Sequence, residues 1–140
     1  MKLCNDVITV FNARVDPDAG GNVWTPTVIA GASWFLTDAS TVDATKGGLV
    51  AANKATIRIP EGANTGGKTY ADPLSYANAE SVAGLWTLAN GDVIVKGDAS
   101  ATANPTPTKL KATYADCVTV LGVTDNRRAP NAPHWRVVAT

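Results

Sequence analysis

The sequence predicts an all-β protein: a small β-barrel or sandwich of about six short strands, with long loops and one or two short helices. Three observations carry this. Short runs rich in β-branched and aromatic residues alternate with polar positions. Gly, Asn, Asp and Pro separate those runs and supply the turn chemistry between them. No long helical pattern alternates with the strands, which argues against a doubly wound α/β domain.

The elements follow in order. In "DVITVF" (6–11), Val7, Thr9 and Phe11 share one face and Ile8 and Val10 the other. "NVWTPTVIAGASWFLT" (22–37) is a second strand region. Pro26 has no N–H to donate, so this run is expected at a sheet edge or broken there. "LVAANKATIRI" (49–59) ends in strict alternation, with Ala55, Ile57 and Ile59 opposite Thr56 and Arg58, and Pro60 stops it. "GLWTLANGDVIVKGD" (84–98) reads as a hairpin about Asn90-Gly91. "DCVTVLGVTD" (116–125) and "HWRVVAT" (134–140) are two further strands. Asp72 before Pro73, and Thr106 before Pro107, are N-cap and N1 signals for two short helices. The stretches 60–73 and 97–107 are Gly-, Ala-, Asn- and Pro-rich and longer than ordinary hairpin loops.

At 140 residues, with 45% apolar residues and four Trp, the chain is expected to be one folded domain, 1–140. Twelve basic side chains balance twelve acidic ones, which argues against general nucleic-acid or membrane-surface binding while leaving room for a local basic patch. The opening "MKLCNDVITVF" does not read as a signal peptide, since Asn5 and Asp6 break its apolar run. No stretch reaches the apolar length of a membrane span, about 18 residues. The expected compartment is the cytoplasm of the producing cell. Cys4 and Cys117 are expected to be small core hydrophobes.

The stretch "GANTGGKT" (62–69) fits the phosphate-loop pattern G-x-x-x-x-G-K-[ST]. A working phosphate loop joins a strand to a helix that begins at its Lys-Thr end, so that loop amides and the helix N-terminus surround the phosphates. Here Pro73 disfavours helical geometry at Asp72, and neither a βαβ context nor a magnesium-holding Asp strand follows. The expectation is a Gly-rich loop without a nucleotide, and no cofactor or metal is assigned. "DPDAGGN" (16–22) places Asp16, Asp18 and Gly21 as a calcium loop would, but Gly20 and Thr27 stand where further ligands are needed. A hairpin turn is expected instead. His134 is the sole histidine, no nucleophile-elbow pattern exists, and the carboxylates are scattered, so no catalytic residue is assigned and no enzyme is expected. Trp34, Trp86 and Trp135 sit in alternating strands and are expected in the core. Were they exposed, a carbohydrate platform would follow.

The order of features resembles phage head–tail joining proteins (head-closure or stopper proteins of the neck), as found in prophages of Gram-positive bacteria. "VITVFNARVD", the acidic turn "DPDAGGN" and "VWTPTVIAGASWF" are similar to the start of that family. "CVTVLGVTDNRRAPNAPHWRVVAT" looks like its closing hairpin, and "LWTLANGDVIVKGD" resembles a middle segment of small neck proteins. The likeness covers about two-thirds of the chain. The region 60–83 is longer than in compact members. The resemblance implies a homo-oligomeric ring, six- or twelve-fold, in the virion neck. Its partners would be the portal or adaptor protein and a tail-completion or tail-tube protein, with packaged DNA in the channel and no membrane. Gly66, Gly67, Lys68, Asn126, Arg127, Arg128 and His134 are the interface candidates. The loops 60–83 and 97–107 are expected to be mobile in the free subunit and to order in the ring. Other readings are another tail protein of the same gene cluster, a non-enzymatic ligand-binding β-domain, and a nucleotide-dependent enzyme.

Overall fold

Six strands of this chain form a ring of antiparallel pairings around an apolar interior. The computed structural model describes residues 5–16, 18, 20–43 and 48–140, with the backbone alone for 37–43 and 48–53. The barrel strands are β1 (Asp6–Asp16), β2 (Gly21–Asp43), β3 (Gly48–Pro60), β6 (Val93–Lys96), β7 (Cys117–Asn126) and β8 (His134–Ala139). Between β3 and β6 lie β4 (Thr69–Tyr70), α1 (Pro73–Asn78) and β5 (Leu85–Trp86), and α2 (Pro107–Thr113) lies between β6 and β7. The order around the ring is β1-β2-β3-β8-β7-β6, and β6 closes it by pairing with β1.

Two strands turn the corners. β2 pairs with β1 through Gly21–Ala32 and with β3 from Ser33 onward. Gly31, at φ +89°, supplies the left-handed residue at that bend, and Asp6 Oδ2 accepts a hydrogen bond from Trp34 N at 2.9 Å just beyond it. β7 pairs with β6 through Cys117–Thr119 and with β8 from Val120, with a register irregularity between Val120 and Gly122. Such irregularities let one strand pass from one face of a flattened barrel to the other.

The interior follows the two-residue period. Ile8 and Val10, Ala55, Ile57 and Ile59, Trp135, Val137 and Ala139 are all buried in one cluster. Trp86 and Trp135 are 2% and 3% exposed, as their strand context predicts. Trp34 packs against the same cluster. A second cluster lies on the other side of β1. There Phe11, Val93 and Val95 meet Leu110 of α2, with Trp24, Tyr114 and Cys117 packed around them. Cys117 is thus a packing residue at the edge of a core; Cys4 lies outside the described residues.

Both helices begin where capping chemistry places them. Asp72 Oδ1 accepts from Ser75 N with Pro73 at the start of α1, and Thr106 Oγ1 accepts from Lys109 N with Pro107 at the start of α2. Pro26 sits within β2 opposite Phe11, on a stretch whose other edge carries no β3 pairing, in agreement with the edge expectation.

The hairpin expected over 84–98 is corrected. The turn forms, with Gly91 at φ +91° and Asp92 N donating to Ala89 O at 3.1 Å, but its arms do not pair. β5 pairs in parallel with β4, while β6 pairs with β1 and β7. The physical reason is a buried polar knot. Asn12 donates through Nδ2 to Thr87 O (2.6 Å) and accepts at Oδ1 from Thr87 N (3.2 Å), so its amide draws residue 87 toward β1. Asp92 accepts from Asn12 Nδ2 (2.8 Å), Ala13 N (3.2 Å) and Ala89 N (3.0 Å).

Candidate functional site

The seven residues singled out in the sequence fall into two groups. The first, Gly66, Gly67 and Lys68, lies in the Gly-rich loop. Gly66 and Gly67 have φ of +69° and +85°, a conformation glycine adopts without steric cost. Thr69–Tyr70, after the Lys, is strand rather than helix, so the donor array of a phosphate loop is not assembled. Lys68 Nζ donates to Pro26 O (2.8 Å) and Thr27 Oγ1 (3.0 Å), which ties the loop to β2. Burial lowers the pKa of this ammonium. Ala30 and Asn64 exchange backbone hydrogen bonds in an isolated bridge, and Thr69 N and Ala71 N donate to Gly84 O and Trp86 O.

The region 60–83 is therefore fastened to the barrel at several points. So is 97–107: Thr9 Oγ1 donates to Gly97 O and accepts from Ala99 N, and Thr102 Oγ1 lies 2.7 Å from Tyr114 OH. Both stretches, expected from the sequence to be mobile in the free subunit, carry polar anchors on β1 and β2. Composition could not reveal this, because the anchors lie up to 90 residues away in sequence.

The second group, Asn126, Arg127, Arg128 and His134, sits at the turn between β7 and β8. Arg127 lies over two aromatic rings, 5.0 Å from the Tyr70 centroid and 5.1 Å from that of Trp135. Tyr70, Trp86 and Trp135 pack mutually, with centroids 4.7 to 5.2 Å apart. Asp125 clamps the guanidinium, accepting from Nε and, at 2.7 Å, from Nη2. That clamp holds the Asp125 carboxyl below the usual carboxylate range and raises the Arg127 pKa. Burial raises the Tyr70 pKa against the opposing field of Arg127. Arg127 and Arg128, with Glu61 and Asp125, line an open depression of ≈ 560 Å³. His134 Nδ1 lies 2.7 Å from Ala132 O, which can only accept, so Nδ1 carries the proton and Nε2 faces Asn126 Nδ2 at 3.4 Å. His134 and Asn126 thus brace the turn that presents Arg127.

One arrangement escaped the sequence reading. Across the outer face of β2, β3, β8 and β7, Ser33, Arg58, Arg136 and Thr124 stand in one cross-strand row. Phe35, Thr56, Val138 and Gly122 form the next. Phe35 is 60% exposed. The alternation in 55–59 places Arg58 outward, but its juxtaposition to Arg136 depends on the β3–β8 register, which no local pattern encodes.

Fold and surface together define an antiparallel six-stranded β-barrel domain with an aromatic–arginine cap at the β7–β8 turn. The chain belongs to the family described as "Family of unknown function (DUF6751)", whose model matches residues 3–140. No curated protein and no solved structure matches it.

Proposed function

We propose that the protein is a structural subunit of a tailed-phage neck: a head-closure or connector-ring protein that joins the portal or adaptor to the tail and helps retain packaged DNA. The observation that carries this reading is the hairpin of β2 and β3. Its rungs from Thr37–Lys54 to Asp43–Gly48 extend past the barrel, because β8 pairs with β3 only from Ala55 onward. That is an arm of roughly 20 Å at ~3.3 Å per residue. A two-stranded ribbon is marginal by itself and leaves both edges open, so a projecting arm fits a protein that works by contact with neighbours. At its root Phe35 and Leu36 are 60% and 43% exposed, leaving apolar surface on both faces of the strand. The strand-and-turn resemblance to head–tail joining proteins gives that general reading its specific form. The burial of Trp86 and Trp135 removes them from any carbohydrate-stacking platform and so weighs against a ligand-binding module.

The test is to replace residues 38–53 by a short turn in the phage or prophage carrying the gene. The barrel pairings begin at Ala55 and do not depend on the removed segment. Filled heads that leak DNA or lack tails are the expected outcome. Normal yields of infectious particles, or absence of the wild-type protein from purified particles, would overturn the reading.

A further inference from the structure

We propose that the outer face of β2, β3, β8 and β7 docks onto the acidic, valine-lined groove of the β1–β2 hairpin of a second copy, so that subunits associate head to tail. Arg58 and Arg136 are direct cross-strand partners. Like charges placed opposite one another destabilise a sheet. Among the described residues the sole ion pair is Asp125–Arg127, so no described carboxylate pairs with either guanidinium. Lys54, on the same side of β3 by alternation, is exposed and adds a third cation. The described residues of the two rows contain no carboxylate. Phe35 and Val138 stand among these cations, and α2 packs on the other side of the molecule, against Phe11, Val93 and Val95.

A complementary surface exists on the same chain. Val15, Asp16, Val23, Glu80 and Val82 line a groove at the β1–β2 hairpin. Val15 is 71% exposed, and Asp18 in the adjoining turn adds a further acid. Arg14, also in the groove, donates to Ala79 O and is held there. One surface is therefore apolar and basic, the other apolar and acidic. Interfaces that combine an apolar centre with opposite charges gain both orientation and specificity. Val23 and Phe35 lie roughly 40 Å apart along β2 at ~3.3 Å per residue, so the two surfaces suit contact between copies rather than within one. Two different patches meeting make a heterologous contact, which closes a ring or runs on as a filament. Nucleic acid is the competing occupant of a basic face, but Phe35 and Val138 amid the cations and the matching groove favour protein. The inference rests on the neck-ring reading for its biological setting only; its physical ground is the charge distribution.

The experiment uses purified full chain and so is separate from any test on particles. Sedimentation from micromolar to about 1 mM protein should show concentration-dependent association of the wild type. The pair Arg58→Glu/Arg136→Glu, and separately Asp16→Lys/Glu80→Lys, should each weaken association about tenfold or more. An equimolar mixture of the two should recover wild-type assembly, because each variant's altered patch then meets its opposite charge. The single change Arg136→Glu gives Arg58 an acidic neighbour, so it should leave melting unchanged or raised while association falls. A wild type that stays monomeric throughout, variants that associate as the wild type does, or a mixture that fails to recover would overturn the proposal. So would duplex DNA binding abolished by the arginine changes without any effect on association.

Discussion

Asp92 shows how a single buried side chain organises several segments. It is 3% exposed and has three neutral donors, from Asn12, Ala13 and Ala89, and no cation among its hydrogen-bond partners. Burial raises its pKa, and the three hydrogen bonds offset that only in part. Asp92→Ala orphans those donors and should cost about 1–3 kcal/mol, read by urea unfolding. The pH dependence has a definite sign. A carboxyl whose folded pKa lies above its unfolded value of 3.8 binds more protons when folded. Its contribution is full below the unfolded value and declines as pH rises through the folded one. The stability gap between wild type and Asp92→Ala should therefore narrow as pH rises from about 3.8; a gap that widens would contradict the assignment. Asp125 has the opposite sign, because Arg127 lowers its pKa. Its contribution is present above the unfolded value and fades as acid is added. With both partners 40–47% exposed, it should be small.

At the scale of elements, the Gly-rich loop and the β7–β8 turn are both built around one cation. Lys68 fastens the first to β2, so Lys68→Ala should speed protease cleavage within 62–69 while global melting changes little. Calorimetry with ATP and magnesium should show no specific heat in either protein. Micromolar binding lost in Lys68→Ala would restore the phosphate-loop reading. Arg127 caps the aromatic cluster at the second. Arg127→Ala should cost about 0.5–2 kcal/mol through the lost ring contacts, and a double-mutant cycle with Tyr70→Leu should show coupling between the two.

For the whole molecule, stability rests on the closed ring and its interior. Trp86 and Trp135 come from segments 49 positions apart and pack with ring centroids 5.1 Å apart. Replacing either by Ala should cost about 3–5 kcal/mol, the usual range for truncating a large core aromatic, and melting is the measurement. Wild-type-like melting of both variants would count against a single cooperative interior. Ring closure joins β1, near the start of the chain, to β6 and the late strands, so formation of the barrel requires contacts distant in sequence. Slow folding relative to a helical protein of equal length is the expected consequence.

The sequence by itself determined the all-β class, the two-face grouping of residues in β1, the alternation of Ala55, Ile57 and Ile59 against Thr56 and Arg58 in β3, both helix N-caps, the edge-or-break character of Pro26 and the burial of Trp86 and Trp135. These follow from the two-residue period, capping chemistry and proline's missing donor, which are local properties that the order of residues states directly. It also placed a turn at Asn90-Gly91, but not the partners of the strands beside it. Only the tertiary structure decided that β5 joins β4, that β6 joins β1, and that Asn12 and Asp92 tie these choices together. It alone fastened the long loops through Thr9 and Lys68, and it alone set Arg58 against Arg136. The reason is that a strand's hydrogen-bonding edge accepts any other strand of suitable register. Which strand arrives there is settled by burial and buried polar satisfaction across the whole chain, and no stretch of sequence contains that competition.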